Sequence, residues 1–294
     1  MTNLSVENVY TRQAAKELAK KYFWKLLGMI AIAFVLPYVF SLVVSTLLAL
    51  SQNQTVIIVG SLVVMLGVTL LESGLMLGLI DSMICICRGT SHVPVSNVFS
   101  MMRYSLKGFG LNLWVSLKVL LWALPGYVLV FVLAFFAASA NSGMSEGLQV
   151  FITVLPALAM ALIFGLVIPA AMRYMLSTYI LADKPATSVF DCVNQSKAMM
   201  KGHKWQAFKL PIPFILIMYL VLIALSLVAS LLSTVFNSSA ITVVLGILMV
   251  ICMLAVMVYF MVRIILCLVL FYLKRDGSLE PKTAEEAPAD DATL

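Results

Sequence analysis

Residues 55–80 read TVIIVGSLVVMLGVTLLESGLMLGLI, an unbroken apolar run in which Glu72 is the one charged residue. As a helix the run would be about 39 Å long at 1.5 Å per residue, which exceeds the roughly 30 Å hydrocarbon core of a bilayer. Within lipid only a helix satisfies the hydrogen bonds of its own backbone. The stretch therefore predicts a membrane-spanning helix.

The same pattern recurs along the chain. The six predicted spans are Leu26–Leu50, Thr55–Ile80, Leu111–Ala137, Leu148–Ile180, Leu210–Leu232 and Ile241–Tyr272. The composition agrees, because 63% of the residues are apolar and 11% are charged, against about a quarter charged in soluble domains. We predict an all-α fold, a polytopic membrane helix bundle over residues 26–275, and no separate soluble catalytic domain.

The net charge of +6 is distributed unevenly along the chain. The segments 51–54, 139–147 and 233–240 contain no Lys or Arg, whereas sixteen of the nineteen basic residues lie before span one, after span six and in the other two loops. By the positive-inside rule both termini are predicted to be cytoplasmic. The positive net charge is then explained by the basic residues on the cytoplasmic side of the membrane, and no nucleic-acid partner is expected.

The parts outside the spans also have recognisable patterns. Residues 1–25 are predicted to be a cytoplasmic amphipathic segment, and residues 276–294, rich in Pro, Ala, Asp and Glu, a disordered acidic tail. Two cytoplasmic loops have apolar residues at helical spacing: Val95, Val98, Phe99, Met102 and Leu106 in one, and Phe190, Val193 and Met200 in the other. These amphipathic helices are expected at the interface with anionic inner-leaflet lipids. The alternative is a pair of solvated helices packed on the bundle.

A weak internal repeat relates these two loops at an offset of 94 residues, pairing Lys107-Gly108 with Lys201-Gly202. Each Lys-Gly pair is predicted to end a helix, with glycine in the left-handed C-cap conformation. The second predicted span also carries Gly74 and Gly78, a small-xxx-small pair that favours close helix packing.

Charged residues inside predicted spans are the candidate site. Glu72 lies about 25 Å along its helix from Thr55, and Arg173 and Arg263 lie at comparable depth, so a cluster of Glu72 with either arginine is plausible. Asp81 and Lys118 can extend it. The functional interpretation is an ion- or substrate-coupling site, and the structural interpretation is an ion pair that fixes which helices are neighbours.

Motifs for nucleotide binding and hydrolysis are absent from the sequence. The spacing of the possible metal ligands matches no standard site; these are Cys85, Cys87, His92, Cys192 and His203. We therefore expect no metal, no cofactor and no catalytic residues.

The stretch MRYMLSTYILADKP at residues 172–185, followed by SKAMMKGHK at 196–204, resembles the bacterial family catalogued as domain of unknown function 975. The resemblance implies a six-span protein with an Arg-Tyr at the end of span four and a Ser-x-x-x-Met-x-Gly element before span five. In this chain those positions are Arg173, Tyr174, Ser196, Met200 and Gly202. The resemblance to a bacterial family also implies the inner membrane of a bacterial cell. The run KLPIP at residues 209–213 departs from the family pattern at the start of span five.

The resemblance transfers no catalytic residue. The wider group includes membrane domains attached to glycerophosphodiester phosphodiesterases, which implies a lipid-proximal role by analogy. Together these observations predict a non-enzymatic integral membrane protein that acts as a scaffold or accessory factor near lipid. The alternative is a small transporter or permease that uses the intramembrane Glu/Arg cluster.

Overall fold

The computed structural model describes residues 2–51, 53–90, 92–139, 160–161, 163–235 and 239–278, and these contain helices and no β-strand. The helices are α1 (Thr2–Lys21), α2 (Phe23–Ala49), α3 (Gln54–Cys87), α4 (Ser105–Ser139), α5 (163–174), α6 (Ser177–Asp183), α7 (Val189–Met199), α8 (Lys204–Lys209), α9 (Ile212–Val235) and α10 (Ser239–Asp276).

The prediction of an all-α bundle with six transmembrane helices is confirmed. The described residues form six helical segments long and apolar enough to cross a membrane: Phe23–Ala49, Gln54–Cys87, Val95–Val132, Ile163–Asp183, Lys204–Val228 and Gly246–Asp276. The first part of the predicted fourth span, residues 148–159, lies outside the described residues. So do residues 279–294 of the predicted tail, whereas Asp276, its predicted first residue, is the last residue of α10.

Among the described residues, the bundle is packed most tightly in one half, which we call the closed half. Its core comes mainly from residues 73–86 of α3, α6, α7 and residues 260–273 of α10, with Leu26, Met29 and Ala33 from α2. In the other half, apolar side chains such as Val59 and Leu62 of α3 are more than half exposed. Such exposure is expected of side chains that face lipid rather than protein.

The first amphipathic loop differs from the prediction of one helix. It forms two short 3₁₀ helices, Val95–Phe99 and Met102–Tyr104, and only Val98 is fully buried while Leu106 is 71% exposed. The loop packs closely against α3 at Gly78, which has no side chain. A Cβ at this position would lie 1.9 Å from the Val98 carbonyl oxygen. The backbone of the loop therefore rests directly on α3.

The two predicted glycine caps have different outcomes. Gly202 has the predicted left-handed conformation, with φ +82°, but it lies in the turn after α7, whose C-cap residue is Met200 in the right-handed region. The prediction for Gly108 is wrong, because Gly108 lies inside α4, where a Cβ would come 2.8 Å from Leu77 Cδ1 of α3. Gly108 therefore lies at a close contact between two helices rather than at a helix end.

The proline-rich start of span five is a helix break that another helix caps. Pro213 has no backbone N–H, so the carbonyl of Lys209, four residues earlier, loses its usual partner. Arg12 of α1 supplies the missing donors: its Nη2 lies 2.6 Å from the Lys209 oxygen and its Nε 3.1 Å from the Leu210 oxygen. This contact also fixes α1 against the bundle.

Candidate functional site

A cavity of about 710 Å³ lies where the end of α1, the start of α2 and α10 meet. We call it the basic cavity. Five cationic side chains line it, together with four aromatic ones and no carboxylate: Lys16, Lys20, Lys21, Lys25 and Arg263, with Tyr22, Phe23, Trp24 and Tyr259. The turn at Tyr22 between α1 and α2 brings these residues together, because it folds the consecutive basic and aromatic positions around one concave surface.

Arg263 forms the α10 wall of the basic cavity. Its Nη2 donates to the Tyr259 hydroxyl, one helical turn earlier, and its guanidinium lies 4.2 Å from the centre of the Tyr259 ring. Its Nε is buried and has no hydrogen-bond partner among the described residues. The guanidinium is thus held in place while part of its hydrogen-bonding capacity is unused.

Aromatic rings surround the basic cavity at the level where α10 changes from exposed to buried side chains. Trp24 is 79% exposed and packs edge-on against Phe23, which in turn lies 6.4 Å from the Tyr259 ring. On α10 this is where the side chains change from mostly exposed, at 246–259, to mostly buried, at 260–273. Trp and Tyr concentrate at the membrane–water interface because their rings are apolar with a polar group at the edge.

A second polar cluster joins the ends of three helices in the closed half. Asp183 at the end of α6 accepts two hydrogen bonds from Arg88, at 2.6 and 3.0 Å, and one from the Tyr272 hydroxyl of α10, at 2.8 Å. The Asp183 carboxylate raises the pKa of Arg88 above its ordinary value. Next to this pair, Lys184 Nζ forms an ion pair with Asp276 Oδ1 at 2.7 Å. Arg88 and Asp183 lie just after one helix and at the end of another, 95 residues apart, so no local sequence pattern indicates that they pair.

The predicted cluster of Glu72 with an arginine is not brought together. Glu72 is exposed on α3 and lines a groove beside Phe34, Pro37 and Tyr38 of α2. Arg173 lies over the Trp122 ring of α4, 4.8 Å from its centre, whereas Arg263 belongs to the basic cavity. The face of α3 that carries Glu72 is turned toward α2, so neither arginine is its neighbour.

The remaining predicted members also have other partners. Asp81 accepts hydrogen bonds from Asn97 Nδ2 at 3.2 Å and Ser100 Oγ at 3.4 Å, which fix the 3₁₀ loop on α3. Lys118 lies over the rings of Trp114 and Tyr174, at 5.2 and 5.7 Å. The transporter hypothesis depends on a Glu/Arg cluster, and Glu72, Arg173 and Arg263 do not form one.

The family-like motif residues surround a break in span four. Residues 175 and 176 form a turn between α5 and α6, and the buried Ser196 of α7 donates to the Arg173 carbonyl at 3.0 Å. Met200 is fully buried, and Gly202 lies in the turn after α7 with its positive φ. The motif thus joins α7 to the broken fourth span.

Replacing Ser196 with Ala should lower the free energy of unfolding by about 1–2 kcal/mol, because the Arg173 carbonyl loses its donor in a buried place. Thermal and SDS-induced unfolding in detergent measure the change. Gln195→Ala, on the exposed side of α7, is the matched control and should change stability little. Equal stability of the two variants would contradict this role for Ser196.

The possible metal ligands are dispersed. Among the residues that the structure describes, no group of three or more His, Cys, Asp or Glu side chains could hold a metal ion. Cys192 is fully buried in α7, and burial, followed by the nearby Asp191 carboxylate, raises the pKa of its thiol to about 11. At neutral pH this thiol stays protonated, which disfavours both metal binding and nucleophilic chemistry.

The fold and the basic cavity define a polytopic membrane protein with a cationic, aromatic site on its first and last spans. The chain belongs to the family described as "Protein of unknown function (DUF975)", whose model matches residues 7–239. No curated protein and no solved structure matches it. The matched residues include all of the motif around the break in span four.

Proposed function

We propose that this protein is a non-enzymatic scaffold or accessory factor of the membrane that holds anionic lipid headgroups in the basic cavity. The observation that carries the proposal is the set of five cations, with no carboxylate, around about 710 Å³. A phosphate group accepts hydrogen bonds and carries negative charge, so it matches both the lysines and the partly unpaired guanidinium of Arg263.

The surroundings of the basic cavity favour a lipid over a soluble anion. Trp24, Tyr22 and Tyr259 form its aromatic edge, and apolar surface of α2 and α10 continues directly from it. An anion bound here would therefore have room for apolar chains beside it. Lys20 and Lys21 also lie in the last turn of α1, where cations interact favourably with the helix dipole. That interaction does not explain Lys25 on α2 and Arg263 on α10, which line the same cavity.

Orientation is part of this proposal: the closed half faces the cytoplasm of a bacterial cell, and both termini lie there. Arg88, Lys184 and Lys201 belong to this half, in agreement with the positive-inside rule. In a cysteine-free background, Lys201→Cys should react with a membrane-impermeant thiol reagent only after permeabilisation, whereas Gln54→Cys should react in intact cells. The reverse pattern would overturn the orientation.

Trp24 allows a direct test of the lipid proposal, because it lies on the wall of the basic cavity. In a variant that keeps only this tryptophan, with Trp114, Trp122 and Trp205 changed to Phe, brominated phosphatidylglycerol should quench its fluorescence more strongly than brominated phosphatidylcholine. The preference should disappear in Lys20→Gln/Lys21→Gln/Lys25→Gln and remain in Lys197→Gln/Lys201→Gln/Lys204→Gln, which removes the same charge elsewhere. Equal quenching by the two lipids in the parent protein would refute headgroup selection.

A further inference from the structure

A groove between α2 and α3 lies in the less tightly packed half of the bundle, opposite the closed half. It is separate from the basic cavity. It consists of two cavities of about 250 and 390 Å³ that share Ser41 and Val68 on their walls. The smaller one ends at Glu72, and the larger one reaches Leu48 and Ile57. Taken together, the two cavities are in the size range of small-molecule sites, whereas a transmembrane helix about 10 Å wide needs far more space.

Glu72 lies on the wall of the smaller cavity without an ion pair or hydrogen bond to any described residue. Its neighbour Phe34 is nine residues along α2 from Lys25 of the basic cavity, which places the carboxylate about 13 Å deeper in the bundle. An ionisable side chain at such a depth is costly unless a cation accompanies it. The carboxylate therefore favours a positively charged occupant.

Two further hydroxyl groups of the groove are acceptors. Ser61 and Thr69 line it, and each donates its single hydroxyl hydrogen to a carbonyl of its own helix, at 2.8 and 3.0 Å. Their oxygens can then only accept from an occupant.

We propose that this groove binds an amphiphilic primary ammonium, a protonated amine on an apolar chain. The ammonium group donates to Glu72 and to the neighbouring acceptors, and the chain lies along the apolar wall toward Leu48 and Ile57. A primary ammonium offers N–H donors to the carboxylate, and Thr69, three residues before Glu72 on α3, presents a further acceptor. The site opens sideways to lipid, because Tyr38 and Phe34 at its edge are exposed, so an amphiphile reaches it from the bilayer.

Calorimetric titration of the protein in phosphatidylcholine nanodiscs, with empty nanodiscs subtracted, tests this site. Dodecylamine should bind the wild-type protein, and Glu72→Gln should weaken its affinity at least tenfold. Glu17→Gln, which removes a carboxylate from the exposed face of α1, is the matched control and should leave the affinity unchanged. Thermal unfolding verifies that each variant is folded.

Two further probes define the chemistry. Dodecanol, with the same chain and no charge, and dodecyltrimethylammonium, with charge and no N–H donor, should both bind at least tenfold more weakly than dodecylamine. The proposal is overturned if Glu72→Gln binds dodecylamine as tightly as wild type, if the trimethyl compound binds as well as the amine, or if the amine does not bind above empty nanodiscs. Unaltered amine binding by Lys20→Gln/Lys21→Gln/Lys25→Gln is also expected, since the basic cavity is a separate site.

Discussion

Replacing Asp183 with Ala should lower the free energy of unfolding by about 2–4 kcal/mol, because it leaves Arg88 and the buried Tyr272 hydroxyl without their shared acceptor. Asp183 is almost fully buried, with 6% of its side chain exposed, while Arg88 keeps 39%, so the cost should fall below that of a wholly buried pair. The three residues join α3, α6 and α10, and the loss should therefore affect the whole closed half.

Thermal unfolding in detergent and SDS titration measure this effect. Lys184→Met is the internal comparison, since it breaks the adjacent Lys184–Asp276 pair, whose lysine side chain is 47% exposed, and should cost at most about 1 kcal/mol. Combining Asp183→Ala with Arg88→Met should cost less than the sum of the single changes, because the arginine is no longer left unpaired. Additive losses, or equal losses for Asp183→Ala and Lys184→Met, would show that the pair does not hold these helices together.

Gly78→Ala should destabilise the fold by about 3 kcal/mol through overpacking. The added Cβ would lie 1.9 Å from the Val98 oxygen and 2.6 Å from its carbonyl carbon. Both are backbone atoms, so no side-chain rotation relieves the clash. The 3₁₀ loop would have to move away from α3, and the hydrogen bonds from Asn97 to Asp81 and Ser82 would be lost with it.

Gly67 provides the matched control for Gly78. It lies on the same helix with no atom within 4 Å of where its Cβ would be, so Gly67→Ala should be neutral or slightly stabilising, by up to about 1 kcal/mol from helix propensity. The comparison uses the same unfolding measurements. If both alanine variants unfold alike, the loop does not rest on α3 as described.

The spans follow from the sequence because a bilayer imposes a length and an apolar composition that can be read directly. Breaks are harder to predict. The prolines at 211 and 213 indicated one, but the donor that stabilises it, Arg12, is about 200 residues away in sequence. The break at residues 175–176 of span four has no proline and depends on Ser196 from α7. Neither capping partner could be identified from local pattern.

Glu72 shows the limit of reasoning from depth alone. Its position in an apolar run marks it as unusual, but depth does not determine the direction in which the side chain points around the helix. With Arg173 and Arg263 on other faces, the carboxylate instead lines the groove against α2. By contrast, the cations at residues 16–25 are consecutive on α1 and at the start of α2, so the sequence predicted a basic surface there, although not that Arg263 completes a cavity.

The most direct test of the lipid proposal is native mass spectrometry of the protein released from nanodiscs with equal amounts of phosphatidylglycerol and phosphatidylcholine. Each lysine near an anionic lipid surface contributes about 1 kcal/mol, so Lys20→Gln/Lys21→Gln/Lys25→Gln should reduce retained phosphatidylglycerol at least tenfold. Lys197→Gln/Lys201→Gln/Lys204→Gln should retain it as wild type does. Equal retention by wild type and both triple variants, or equal loss in the two variants, would contradict a specific headgroup site in the basic cavity.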